Sequence, residues 1–191
     1  MQENMNKKLI YILFIFCVAS LWAQKDEDEK EAADKERQDV TGYWFMYDMG
    51  KEPTGIAYIY EYNGRIYGRT LVTIHKHLNI VETYDKPQFR SVHIEGQPFS
   101  TGQDIIWNLE WNTKKRKYIH GYILDPRKKK PYYVDIWREG DTLKVFGNIG
   151  VGIGVVVTWH RAQATDLPPG TPPITTKLVP KIYYEVKKKW Q

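Results

Sequence analysis

Cysteine is nearly absent from this sequence, which contains Cys17 alone. Cys17 lies in an apolar run, Leu9 to Val18, that follows Lys7 and Lys8 and precedes the small residue Ala23. Positive charge, apolar core and small residue in this order are typical of a secretory signal peptide, so we expect residues 1–23 to be removed. The exported chain would then have no disulfide, no thiolate metal site and no cysteine nucleophile.

The apolar run is also too short to span a bilayer as a helix, which takes roughly 20 residues. Export without disulfides favours a bacterial periplasm or cell envelope. Met5 is an alternative start, because MNKK begins a more usual signal. Lipidation of Cys17 is an alternative anchor, but Phe16 is bulkier than the small residue that lipoprotein processing normally needs.

The excess of positive charge is small, with a formal net charge of +5. Nucleic-acid binders usually carry a stronger basic bias, so we expect no nucleic-acid partner. Residues 24–39 are rich in acidic side chains and have no large apolar one, which predicts a solvated linker. Residues 162–191 contain DLPPGTPP and predict a proline-rich tail. Its last residues, KIYYEVKKKWQ, either dock on the domain or, in the favoured interpretation, form a frayed terminus.

The segment between them, residues 40–161, has the pattern of an all-β domain. In TGIAYIYEY, residues 54–62, apolar side chains alternate with a period of two, and Asn63-Gly64 then gives a hairpin turn signal. Seven further β-branched and aromatic segments bring the count to eight strands. We predict one antiparallel up-and-down barrel, with a short helix or a long loop within residues 75–103.

The two ends of this domain contain residues suited to closing a barrel. Gly42 and Trp44 begin the first strand, and Trp159 and Arg161 end the last. First and last strands are neighbours in such a barrel, so Arg161 can lie over the Trp44 indole, a contact that contributes roughly 0.5–2 kcal/mol. We assign these four residues to closure. The arrangement resembles the Gly-x-Trp and terminal arginine of lipocalins and their calycin relatives.

Four stretches resemble, in order, the bacterial family called domain of unknown function 2147: TGYW, IYEYNGRIYGR, GYILDPRKKKPYYVDIW and GDTLKVFGNIGVGIGVVVTWHR. The resemblance covers residues 40–161 and implies an exported, small β-barrel-like domain with no established activity. The chain departs from the family pattern in two ways. Residues 75–103 have no cysteine pair, and Phe146 stands where a basic residue is usual.

Three motifs suggest chemistry but favour structural interpretations. His75 and His77, with Asp85 and His93 nearby, are weak metal candidates, and their spacing is unspecific, so we expect no metal. GNIGVGIGV leads into a strand instead of the helix that a phosphate loop needs. The basic turn after Asp125 is typical of a solvated hairpin tip. Isolated carboxylates at Glu61, Glu110 and Asp135 suggest no acid–base pair.

Aromatic side chains remain as candidates for binding. Tyrosine-rich faces suit a cavity for a lipid-like or aromatic molecule, with small residues (Gly55, Ala57, Gly68) on the opposite face. The pattern does not show which face points inward. The predicted ligand-binding residues are Tyr58, Tyr60, Tyr62, Tyr67, Trp107, Tyr122 and Trp137.

The sequence therefore favours a non-enzymatic envelope module that binds a small apolar ligand or a partner surface. We expect a monomer without a cofactor, in peripheral contact with the envelope. A hydrolase acting on envelope components and a purely structural adaptor are the alternatives. A tyrosine-lined cavity above roughly 300 Å³ would favour ligand binding, converging titratable groups at the barrel mouth an enzyme, and a filled interior with an exposed apolar patch an adaptor.

Overall fold

A computed structural model describes residues 25, 37–75, 78–125, 130–150 and 153–184. The predicted signal peptide with Cys17, most of the acidic linker, and His77 lie outside these residues. The elements of the described part with defined bounds are β-strands and one turn of 3-10 helix at Ala164–Asp166. The strands are β1 Gly42–Tyr47, β2 Pro53–Tyr62, β3 Arg65–His75, β4 Asn79–Thr83, β5 Asp104–Asn112, β6 Lys117–Ile123, β7 Tyr132–Glu139, β8 Thr142–Gly150 and β9 Ile153–Ala162.

Eight of these strands close into the predicted antiparallel barrel. The sheet runs β2-β1-β9-β8-β7-β6-β5-β3-β4, and an additional β2–β3 pairing joins its two sides. The Asn63-Gly64 hairpin forms as predicted, with positive φ at both residues (49° and 73°). No described helix is long and apolar enough to cross a membrane.

The described residues within 75–103 take the loop form of the two predicted alternatives, with a strand that the sequence did not indicate. β4 pairs with the end of β3, from Val72 to His75, outside the barrel. The loop after it is anchored by Glu82, whose buried carboxylate accepts hydrogen bonds from the Gln88 and Phe89 amides at 2.9 Å each.

The barrel interior is filled by aliphatic and large aromatic side chains over most of its length. Gly68 shows how tight this core is, because a Cβ there would lie 2.8 Å from Ile59 Cδ1. Close packing of this kind leaves no room for a guest molecule beside Gly68. The buried residues of this core include Trp44, Ile59, Ile66, Ile106, Leu109, Tyr118, Val134, Ile136, Leu143, Val145 and Trp159.

The described part of the C-terminal tail lies on the outside of the barrel. Within KIYYEVKKKWQ, residues 181–184 dock there, so the prediction of a frayed terminus is wrong for these four residues. Leu167 and Ile174 pack against the outer faces of β2 and β3. The Tyr84 hydroxyl donates to Pro173 O at 3.1 Å. The outer strand faces are apolar as well as the inner ones, and the tail covers part of that surface. Residues 185–191 lie outside the described part.

Candidate functional site

The seam between β1 and β9 divides into a paired half and an open half. β1 pairs with β9 only where Tyr43, Trp44 and Phe45 face Ala162, Arg161 and His160. β9 begins at Ile153, so its first seven residues have no strand partner on this side among the described residues. These two halves have different chemistry.

The paired half contains the contact predicted between Arg161 and Trp44. The guanidinium carbon lies 4.7 Å from the centre of the indole ring. Arg161 also donates to Thr41 O at 3.0 Å, and the buried Trp44 indole N–H donates to Val40 O at 2.8 Å. Trp159 is buried in the barrel core, opposite Leu143.

Gly42 makes the approach of Arg161 possible. Its φ is 110°, in a region that favours glycine, and a Cβ would lie 3.0 Å from Arg161 Nη1. A larger residue would therefore strain the backbone and displace the guanidinium. Of the four residues assigned to closure, Gly42, Trp44 and Arg161 lie at this half of the seam, and Trp159 is the adjacent residue of β9 without a β1 partner.

A cleft of about 530 Å³ lies at the open half, between β9 and the β1–β2 connection. The β1–β2 register shifts between Met46 and Tyr47, where the chain leaves the line of β9. This volume is within the range of small-molecule sites, roughly 300–1,000 Å³. The cleft is lined by Tyr47, Asp48, Met49, Gly50, Lys51, Val155, Val156, Val157, Thr158 and His160.

The cleft combines an apolar wall with a polar margin. Val155 and Val156 are 43% and 50% exposed, respectively. Tyr47 packs edge-to-face on His160, with ring centroids 5.0 Å apart. Lys51 lies on the opposite side, in the β1–β2 connection. An apolar surface with a few polar groups suits a molecule with an apolar body and one polar end.

Space in the barrel wall also increases toward this end. Gly147 pairs with Val155 and lies on the same strand face as buried Val145. A Cβ at Gly147 would meet nothing within 4 Å, in contrast to the crowded Gly68. The barrel is therefore packed in its body and roomy beside the cleft.

The tyrosines predicted to bind a ligand lie on the outer face, and none of them lines the cleft. Tyr58 and Tyr60 alternate with buried Ala57 and Ile59, which face inward with Trp44. Six of the seven predicted residues lie together around buried Tyr60, Tyr67 and Trp107, and one of them, Tyr58, also contacts Tyr43, with ring centroids 4.9 Å apart. Their role in binding stays a prediction.

Rings on this outer face stack in two groups. Tyr67 contacts Tyr60 and Tyr62, with centroids 5.7 and 6.3 Å away. Trp107 and Tyr122 are 5.7 Å apart, and Tyr122 continues to exposed Tyr133 at 5.1 Å. Burial raises the pKa of Tyr67 and of Tyr122, so both hydroxyls stay protonated near neutral pH.

Trp137 lies apart from these groups. The Lys117 ammonium lies 3.5 Å above its ring, and the indole N–H donates to Glu139 Oε1 at 2.7 Å. Both contacts are with neighbouring strand residues, so the ring is held in place by the sheet itself.

The outer wall has a polar cluster that the sequence pattern did not predict. Glu110 lies 2.6 Å from both His120 Nδ1 and Arg65 Nη1. The hydrogen bond from His120, with the Arg65 charge, lowers the pKa of Glu110. Asn108 and His120 both have φ near +60°, which brings His120 beside Glu110 through a local irregularity of the strands that no sequence pattern reveals. The cluster is exposed and away from the cleft.

The metal candidates do not come together among the described residues. His75 is exposed at the end of β3, and Asp85 accepts from Thr83 Oγ1 at 2.6 Å. The described ranges contain no group of three His, Cys, Asp or Glu side chains arranged around a common point. The GNIGVGIGV stretch forms parts of β8 and β9, and residues 151–152 between them lie outside the described part.

Comparison with known proteins agrees with the predicted fold. The barrel is similar to HP1028 from the human pathogen Helicobacter pylori, described as belonging to the lipocalin family, with a TM-score of 0.53. The two are 16% identical, and the match covers 66% of this chain and 85% of that one, so the likeness concerns the fold alone. No curated protein matches the chain.

The family match follows the barrel closely. It extends over residues 42–161, from the first residue of β1 to the arginine over Trp44. It leaves out the C-terminal tail that covers the outer strands. The chain thus belongs to the family described as uncharacterized proteins conserved in bacteria, domain of unknown function 2147.

Proposed function

We propose that this protein is an exported envelope module that binds a small apolar or amphipathic molecule in the cleft at the open half of the β1–β9 seam. The cleft itself, about 530 Å³ with a valine wall, is the observation that carries this proposal. Because the core is tightly packed around Gly68, a ligand site is favoured at this end of the barrel over its middle. The signal-like N-terminal sequence supports export to the periplasm or envelope.

The polar margin suggests how such a molecule would lie. Its apolar body would cover Val155 and Val156, removing their exposed surface from water at about 25 cal/mol per Å². A polar or anionic end would point toward Lys51, which is exposed at the margin. The proposed ligand class is therefore an amphipathic molecule such as a single-chain lipid.

The test uses N-phenyl-1-naphthylamine, an apolar dye whose fluorescence rises on leaving water. We expect saturable binding to the exported chain, and a loss of affinity of about tenfold or more in Val155→Glu, because the new carboxylate would be desolvated beneath the dye. Val92→Glu is the matched control, since Val92 is 63% exposed in the loop after β4 and does not line the cleft.

Two results would contradict the proposal that the dye binds in the cleft. Equal affinities in Val155→Glu and Val92→Glu would show that the dye binds elsewhere. Loss of binding in Tyr62→Ser, with Val155→Glu unaffected, would move the site to the outer tyrosines. Native mass spectrometry of protein taken from its own envelope would then identify the natural ligand.

A further inference from the structure

The outer face of the barrel has an aromatic trough that holds an extended piece of chain. Its floor is formed by buried Tyr60, Tyr67 and Trp107, with Ile94 and Leu124 beside them. We call these five residues the trough. It lies on the opposite side of the barrel wall from the core, because its strand residues alternate with core residues.

A buried ion pair lies in the trough. Arg69 donates to both carboxylate oxygens of Asp104, from Nε at 3.2 Å and from Nη2 at 2.9 Å. The Tyr60 hydroxyl donates to Asp104 Oδ2 at 2.9 Å. Burial and the neighbouring Asp104 carboxylate raise the pKa of Tyr60, so its hydroxyl remains a donor. The Asp104 side chain is fully buried, and such a charge is costly unless its hydrogen-bonding capacity is met.

Residues 178–184, here called the strap, supply the remaining partners. Arg69 Nη2 donates to Val179 O at 2.6 Å, and the Asp104 amide donates to Lys181 O at 2.9 Å. The Lys181 amide donates in return to Asp104 Oδ2. All three hydrogen bonds use the main chain of the strap.

Most strap side chains take little part in the contact. Val179 is 61% exposed, and Ile182 and Tyr183 are exposed as well. Leu178 and Tyr184, one at each end, pack against the trough. The trough therefore binds an extended main chain between two apolar side chains that are six residues apart. Because the hydrogen bonds go to the main chain, this mode of peptide recognition tolerates changes of sequence between the two anchors.

The family match includes the trough but not the strap that fills it. Arg69, Asp104 and the trough lie within residues 42–161, which match the family, and the strap lies outside them. The site thus belongs to the barrel domain, and the segment that fills it is an addition to that domain.

We propose that the trough, with Arg69 and Asp104, is a binding site for an extended polypeptide that carries a large apolar residue and, six positions later, an aromatic one. In this chain residues 178–184 occupy it in cis. A polypeptide of the same chemistry would compete with the strap for it. This site is independent of the cleft in the seam.

The test uses a fluorescent peptide, KLVPKIYY, which reproduces residues 177–184, and full-length protein with Leu178→Ser and Tyr184→Ser. These changes weaken the strap and leave the trough intact. We expect the variant to bind the peptide at least about tenfold more tightly than the unaltered chain, where the tethered strap competes at high effective concentration. Fluorescence anisotropy measures both affinities.

Two altered peptides test recognition through the main chain. Replacing the residue equivalent to Lys181 by proline removes the N–H that donates to Asp104, and binding should be lost. Replacing it by alanine keeps the N–H and should change the affinity by less than about threefold, since the Lys181 side chain is exposed. Equal binding of the proline and alanine peptides would overturn the proposal.

The fold of the variant is checked by near-ultraviolet circular dichroism. If the folded variant does not bind KLVPKIYY better than the unaltered chain does, the contact of the strap is ordinary packing of a terminus and the trough is not a peptide-binding site. If the variant fails to fold, hydrogen exchange in the unaltered chain replaces it. Excess peptide should then speed exchange of the Lys181 amide, and unchanged exchange would equally contradict the site.

Discussion

The two halves of the β1–β9 seam lie on the same pair of strands and differ in almost every physical property. In the paired half, Trp44 is fully buried and Arg161 covers it, with hydrogen bonds to the chain before β1. In the open half, Val155 and Val156 border a cleft and remain about half exposed. One half holds the barrel closed, and the other leaves room for a second molecule.

Strand length explains the difference. β1 has six residues and β9 has ten, so β9 continues past the point where β1 turns away. Pro53 at the start of β2 has no amide hydrogen to extend the ladder, and the register shifts between Met46 and Tyr47. The cleft is therefore a consequence of the early end of β1, whereas the closing contact follows from the register that places Trp44 opposite Arg161.

The largest expected effect comes from Trp44→Ala. Removing a fully buried indole leaves a cavity in the barrel core and costs about 3–5 kcal/mol of unfolding free energy. The melting temperature should fall on the order of 10 °C, measured by circular dichroism. Val155→Glu is the control, because it changes the exposed half and should alter the melting temperature little. Equal losses in both variants would remove the distinction between the halves.

A smaller loss is expected for Arg161→Ala. It removes the contact over Trp44 and the hydrogen bond to Thr41 O, together about 1–3 kcal/mol. Arg161→Lys keeps the charge without the planar guanidinium, so it should recover only part of the loss. Dye binding should be unchanged in both variants. Full stability of Arg161→Ala would contradict a closing role for the contact.

The sequence was informative about the barrel and about its closure. Alternation, the Asn63-Gly64 turn and the pairing of Trp44 with Arg161 each depend on a local pattern or on chain order, and the structure has all three. Alternation could not decide which face points inward. On β3 nearly every side chain is buried, because the loop after β4 and the C-terminal tail cover the outer face.

The cleft and the trough were beyond sequence reasoning for related causes. The cleft lies where β1 ends early, and a strand end of this kind has no sequence pattern of its own. The strap contacts Arg69 and Asp104 through its main chain, and such hydrogen bonds leave no pattern in the side chains. Arg69 and Asp104 are 35 residues apart along the chain and become neighbours only through strand register.

The smallest expected effect concerns Asp39, at the edge of the paired half. Partial burial raises the pKa of Asp39, but hydrogen bonds from Thr41 and the charges of Arg161 and Arg138 outweigh it, so its pKa lies below the usual range. A carboxyl with a lowered folded-state pKa stabilises the fold above its unfolded-state pKa, and this contribution is lost as pH falls through the folded-state value.

Asp39 is largely exposed, so Asp39→Asn should cost only about 0.5 kcal/mol of unfolding free energy near pH 7. The difference from the unaltered chain in melting temperature should shrink as pH falls through the lowered folded-state pKa of Asp39, where the carboxyl becomes protonated in the folded state as well. In an Arg161→Ala background the same substitution should cost less, because part of the charge interaction is already gone. A difference that does not shrink as pH is lowered, or that is equal in both backgrounds, would show that Asp39 supports the paired half through packing and not through its charge.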